Sequence, residues 1–162
     1  MHAHEILLIG LTDRHRCQDL LSARGFQEFL AQPQLGKVRE GIIGVGGRTG
    51  SADFAIGGSV NAAFRLFTKA LTDRGVKDGV RVNAINPGYI KTERLKIRLE
   101  GFAAEHGVDL SRAEAELAKA SGVSRFGEPT EIAAAVAFLA STRCGYCHGA
   151  LLDVDGGQTR TL

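Results

Sequence analysis

Cys144-Gly145-Tyr146-Cys147-His148 sets two thiols and an imidazole at the spacing of c-type haem attachment, where the sulfurs become thioethers and the histidine an axial ligand. The rest of the chain does not favour that chemistry. Met1 is the only methionine available as a second axial ligand, and the N-terminal residues lack a basic flank and small-residue cleavage site. A zinc site would need a fourth ligand, and Cys17 is distant. A Cys144–Cys147 disulfide is not expected in a reducing cytosol. The segment therefore reads as structural, with no metal site. Gly44-Val45-Gly46-Gly47-Arg48-Thr49-Gly50 has the texture of a phosphate-cradling turn. Thr49, however, stands where the third glycine is needed and no helix follows directly, so a close-packed loop is expected. Lys91, Arg94, Lys96 and Arg98 could face a phosphate but read better as a solvated helix face. His2, His4, His15 and His106 are scattered and read as surface residues.

These residues must be carried by elements that the hydrophobic pattern outlines. A strand is expected at 5–11, a helix at 14–31 and a connection at 32–40. The texture changes at Gly41, where a strand over 41–45 runs into the glycine-rich segment. A helix over about 59–73 follows, with Ser59 as N-cap, apolar residues at helical spacing and Gly75 as its stop. Val80 to Ile85 is a strand closed by Asn86-Pro87-Gly88. Two amphipathic helices are expected at 92–105 and 112–120, the second opened by a Ser111–Glu114 capping box. A helix over 129–141 starts with Pro129, and a last strand at 151–154 leads into Asp155-Gly156-Gly157. Strands alternating with helices predict an α/β fold: a parallel sheet with helices on both faces and a ligand crevice at the strand C-termini.

Composition bounds the possibilities. The chain has 162 residues, enough for one domain with a sizeable core. A net charge of +2 with interspersed signs gives no reason to expect nucleic acid or an anionic membrane as partner. Apolar runs such as Ile6-Leu7-Leu8-Ile9 are too short to span a bilayer, and the chain reads as cytoplasmic. The 21 glycines come with only 3 prolines and no repeat, which points to tight turns and not to low complexity.

Several segments together carry a resemblance. Val80-Arg-Val-Asn-Ala-Ile-Asn-Pro-Gly88 with Thr92, Arg125-Phe-Gly-Glu-Pro-Thr-Glu-Ile132, Ala137-Phe-Leu-Ala-Ser141 and Val154-Asp-Gly-Gly157 resemble, in order and spacing, C-terminal segments of short-chain dehydrogenases/reductases. The likeness covers roughly 41–162, with 1–40 as a divergent segment, and implies a Rossmann-like sheet truncated at its N-terminal side. It also implies NAD or NADP as cofactor and hydride transfer between small-molecule alcohols and carbonyls. By the same resemblance Pro87 and Gly88 turn the chain, the Ile90 backbone bonds the carboxamide, and Thr92 contacts the carboxamide or pyrophosphate. A homo-oligomer built through residues 129–155 is a further implication.

The family's proton chemistry uses a Ser and a Tyr-x-x-x-Lys, in which the ammonium lowers the phenol pKa. The matching positions hold Gly47, Gly57 and Asn61. Tyr89 and Tyr146 are the only tyrosines, neither has lysine four residues on, and Phe54 near Gly57 has no ionisable proton. No catalytic residue is therefore assigned. The segment Leu11 to Cys17 also lacks the glycines of a dinucleotide turn, although strand 6–11 could stand beside 41–45 as a replacement. A truncated or frameshifted product is favoured over a fragment or a divergent member. The expectation is an impaired NAD(P)-linked oxidoreductase. The alternative is a non-catalytic Rossmann-like protein that associates with itself or with intact relatives.

Overall fold

Among the described residues, four parallel strands in the order β1-β2-β3-β4 form the sheet: β1 Leu8–Gly10, β2 Val38–Ile42, β3 Arg81–Pro87 and β4 Leu151–Val154. The structure is a computed structural model that describes residues 8–10 and 38–160, so the helix expected at 14–31 lies outside the described residues. β1 pairs with β2 in register Leu8↔Glu40, and β2 with β3 in register Glu40↔Asn83. β2 begins at Val38, so the change of texture at Gly41 falls inside a strand and residues 38–40 are not a connection. Charge hid the strand start, because Glu40 is a buried carboxylate, 2% exposed, held by the Asn83 amide.

Helices cover both faces. α1 (Ala55–Asp78) is longer at both ends than expected, and Ser59 lies inside it. Two short 3-10 turns, Val45–Gly47 and Ala52–Phe54, lead into it, and Gly79 ends it at φ 66°, a conformation that glycine adopts without strain. α1 buries Phe64 against Ile43 and Ala84 on one face of the sheet, with Phe67 and Leu151 beside them. α4 (Pro129–Ala140) buries Ile132, Val136 and Leu139 against Ile85 on the other. Burial of Val82 through Asn86 without a break marks β3 as a central parallel strand, covered on both sides.

Between β3 and α4, α2 (Glu93–His106) and α3 (Leu110–Ala120) enclose Leu95, Leu117, Ala118 and Phe126 as a separate small core. Asp109, not Ser111, caps α3, its carboxylate accepting from the Arg112 N–H at 2.8 Å. The box-like contact sits instead at α4, where Glu131 accepts from the Glu128 N–H at 2.8 Å. Beyond α4 the turn Thr142–Cys144 leads to a Cys144–Cys147 disulfide, contrary to expectation, because the turn brings the two Cα atoms within 5.2 Å.

Candidate functional site

Pro87 ends β3, and the chain turns at Gly88, whose N–H donates to Val154 O at 3.2 Å. A Cβ at Gly88 would stand 2.9 Å from Asp155 Cα, so the exit of β4 requires glycine there. The next residues dock on the entry to α4. Gly127 N–H donates to Tyr89 O at 2.9 Å and Lys91 N–H to Gly127 O at 2.8 Å, a parallel bridge centred on Ile90. In a parallel pairing the central residue's own N–H and C=O point to the opposite side, so Ile90 presents both away from Gly127. The Thr92 hydroxyl donates to that Ile90 carbonyl at 3.3 Å, and Thr92 stands exposed as the N-cap of α2. Pro87, Gly88, Ile90 and Thr92 therefore form one continuous loop at the strand C-termini.

Ion pairs hold this loop. Lys91 reaches Glu128 at 3.1 Å and Glu114 at 3.4 Å, and those carboxylates raise its ammonium pKa. Arg125 grips Glu131 with two bonds of 2.8 and 2.7 Å; that guanidinium, with the Glu128 N–H, lowers the Glu131 carboxyl to about 2. Beside the bridge lies a cavity of about 130 Å³ lined by Tyr89, Ile90, Arg125, Glu131, Val154 and Asp155 among others.

The first 3-10 turn packs tightly on the start of α1. A Cβ at Gly47 would lie 2.8 Å from Ala62 N, that is, inside the backbone of α1. A Cβ at Gly57 would run into the Phe54 ring, and one at Gly46 would be 2.8 Å from it. Asn61 is 8% exposed and lies at the same contact. Gly47, Gly57 and Asn61 are thus brought together, with Phe54 filling the space over Gly57, the α1 backbone that over Gly47, and no ionisable group among the four. Gly57→Tyr is expected to lower stability by about 2–3 kcal/mol through overpacking against Phe54, read as a shift in urea midpoint. An unchanged midpoint would show that the ring yields freely.

Sequence reasoning did not find the polar group next to this contact. Arg48 pairs with Asp153 at 2.8 Å, and Asn86, fully buried, donates to the same carboxylate at 2.8 Å. Arg65 lies close enough that burial first, and Arg48 second, lower its pKa. The only local signal was Asp153 in a strand, whose partners come from two other elements.

The remaining candidates resolve as structural. His148 Nδ1 accepts from the Val82 N–H at 3.0 Å and Nε2 lies 2.9 Å from Thr72 O, so both ring nitrogens bond within the fold, and the two cysteines are bonded to each other. Arg94, Lys96 and Arg98 lie exposed on α2, with Lys96 near Glu93 and Arg98 stacked 5.0 Å over the Tyr89 ring. His106 is exposed and stacks on Phe102, while His2, His4 and His15 fall outside the described residues. Tyr89 is wedged edge-on against Phe126, and Tyr146 is fully exposed. Among the described residues no cluster of His, Cys, Asp and Glu could hold a metal ion, and no helix is long and apolar enough to cross a membrane.

Known proteins place this arrangement. The family model described as enoyl-(acyl carrier protein) reductase matches residues 42–159. Galactitol 2-dehydrogenase (L-tagatose-forming) of Cereibacter sphaeroides is 43% identical over 98 residues, 60% of this chain and 35% of that protein. Acetoacetyl-CoA reductase of Shinella zoogloeoides is 37% identical over 117 residues, 72% of this chain and 43% of that protein. The crystal structure of L-sorbose reductase from Gluconobacter frateurii, complexed with NADPH and L-sorbose, superposes with a TM-score of 0.72 at 29% identity, covering 77% of this chain and 48% of that one. The chain thus spans between 35% and 48% of the length of these relatives. With the family model matching residues 42–159, well over half of the chain, the chain belongs to the short-chain dehydrogenase/reductase family.

Proposed function

We propose that this chain holds the nicotinamide end of NAD or NADP at the Pro87–Thr92 loop, in the family's hydride chemistry between small alcohols and carbonyls, without completing that reaction by itself. The loop suits the cofactor on its own geometry. Ile90 turns a backbone donor and acceptor outward, as an amide ligand requires, and the Thr92 hydroxyl stands at the exposed start of α2. Bound nicotinamide would supply hydride. Pro87 and Gly88 would set the turn, Ile90 would bond the carboxamide, and Thr92 would add a hydroxyl to the amide or pyrophosphate.

The packing of the first 3-10 turn and Phe54 on α1 supports the second half of the proposal. A carbonyl gaining hydride needs a proton donor, and the space for one is taken by the Phe54 ring over Gly57 and by α1 pressed on Gly47. A second reading, a non-catalytic subunit that associates through residues 129–155, draws on the outer face of α4. There Ala133, Ala134 and Ala137 are exposed, with Phe138 50% exposed and Leu152 of β4 38% exposed.

One experiment separates these readings. NADH and NADPH are titrated by fluorescence, a panel of aldehydes and ketones is assayed, and mass is measured by light scattering. Saturable binding without detectable turnover is the expected result. Reduction of any panel member at a rate typical of intact relatives would overturn the impairment. Binding of neither nucleotide, with a dimer mass, would leave the associating subunit as the function.

A further inference from the structure

The geometry points to Cys144 and Cys147 as a reversible thiol–disulfide exchange site, oxidised by a small anionic disulfide of the glutathione type, whose state sets the stability of the C-terminal third of the chain. This stands apart from the nucleotide reading, since the pair lies where α4 ends and β3 begins, at the opposite end of the sheet from the Pro87–Thr92 loop.

Reversible exchange needs two sulfurs kept at bonding separation whether or not the bond exists. Here the backbone does that without the sulfurs. Arg81 donates to Cys144 O at 2.9 Å, and the Cys147 N–H donates to the same oxygen at 2.9 Å. Asn83 donates to Cys147 O at 3.3 Å. The following residue, His148, is clipped between Val82 and Thr72, and the Gly149 N–H bonds Val82 O at 2.7 Å. The resulting Cα separation of 5.2 Å lies inside the disulfide range.

The two sulfurs differ in access. Cys144 is 3% exposed and packs on Ile85, Ile132, Val136 and Leu139. Cys147 is partly exposed, next to a fully exposed Tyr146 and an exposed Gly145. Cys147 is then the sulfur that meets the incoming disulfide, and Cys144 the one that resolves it. The Cys147 thiolate attacks one sulfur of the small disulfide, forms a mixed disulfide and expels one small thiolate. The Cys144 thiol loses its proton and attacks Cys147 Sγ, expelling the second. In sum two cysteine thiols and one small disulfide become the protein disulfide and two small thiols, two electrons passing to the oxidant. Exposed Arg143, beside the pair, supplies positive charge for the carboxylates of a glutathione-type reagent.

The test uses the full chain with Cys17→Ser, so that only this pair reports. The protein is equilibrated in buffers of graded reduced to oxidised glutathione, quenched by alkylation and weighed intact. Both thiols are expected to disappear together, and the oxidised form to melt about 4–8 °C higher than the reduced one. Cys144→Ser should accumulate the glutathione adduct at Cys147, whereas Cys147→Ser should resist adduct formation. The proposal fails if both thiols remain alkylatable at every ratio, if the two states melt together, or if Cys147→Ser takes the adduct as readily as Cys144→Ser. The redox titration needs no change at the pair itself, so it decides the matter even if either serine variant does not fold.

Discussion

Arg81→Leu is expected to cost about 3–5 kcal/mol and to lower the melting temperature by roughly 10 °C, because one guanidinium closes the end of α4. The last carbonyls of any helix lack intrahelical partners. Arg81, at the first position of β3, donates to Leu139 O at 2.7 Å, Ala140 O at 2.9 Å, Ser141 O at 3.2 Å and Cys144 O at 2.9 Å. Leu139, Ala140 and Cys144 are buried, so their carbonyls have little water to turn to once the donor is gone. The same charge faces the negative end of the helix dipole, a favourable placement. Lysine carries the charge but not the fork, and Arg81→Lys should recover about half of the loss. Urea melts of the three proteins measure this directly. A leucine variant within about 1 kcal/mol of the parent would mean that water replaces the guanidinium at no cost.

What could be read in advance follows from where the interactions are local. β4 at Leu151–Val154 matches the expectation, and α2 and α4 lie within a residue or so of it, because helical periodicity, Pro129 and the closing glycines act within a few residues. The Pro87–Thr92 loop was legible for the same reason: its residues are contiguous. β2 was misplaced because Val38-Arg39-Glu40 looks like surface until Asn83 arrives from β3 to hold the carboxylate. The same applies to the packing over Gly57. Sequence showed that a phenol and an ammonium were missing, but not that Phe54 had taken up the space, which depends on how the 3-10 turn folds back on α1. The Arg48–Asp153–Asn86 group joins a loop and two strands, and nothing local announces it.

Glu40→Gln should make the protein more stable at pH 8 by up to about 3 kcal/mol, and change little at pH 5. The Glu40 side chain is buried, accepts from Asn83 Nδ2 at 3.2 Å, and has no partner for Oε2 among the described residues. Desolvation dominates, with the Asn83 bond and the Arg81 charge opposing it, and the carboxyl pKa rises from 4.5 to about 7. A raised pKa means that the native state binds the proton more tightly than the unfolded chain. Stability from this group is therefore greatest below pH 4.5, declines as pH rises through 7, and above that the full cost of a buried charge is present. Glutamine keeps the acceptor for Asn83 and removes the charge, so its melting temperature should stay flat where that of the parent falls by roughly 5–10 °C. Melts at the two pH values decide it: a difference independent of pH, or a less stable glutamine variant at pH 8, would mean that Glu40 is not the titrating group. Because Arg81 is one of the two groups that favour the charged form, Arg81→Leu should push the Glu40 pKa higher still and cost more at pH 8 than at pH 5. In the Glu40→Gln background that extra alkaline cost should vanish, leaving only the loss of the helix-end bonds, a non-additivity that two independent sites could not produce.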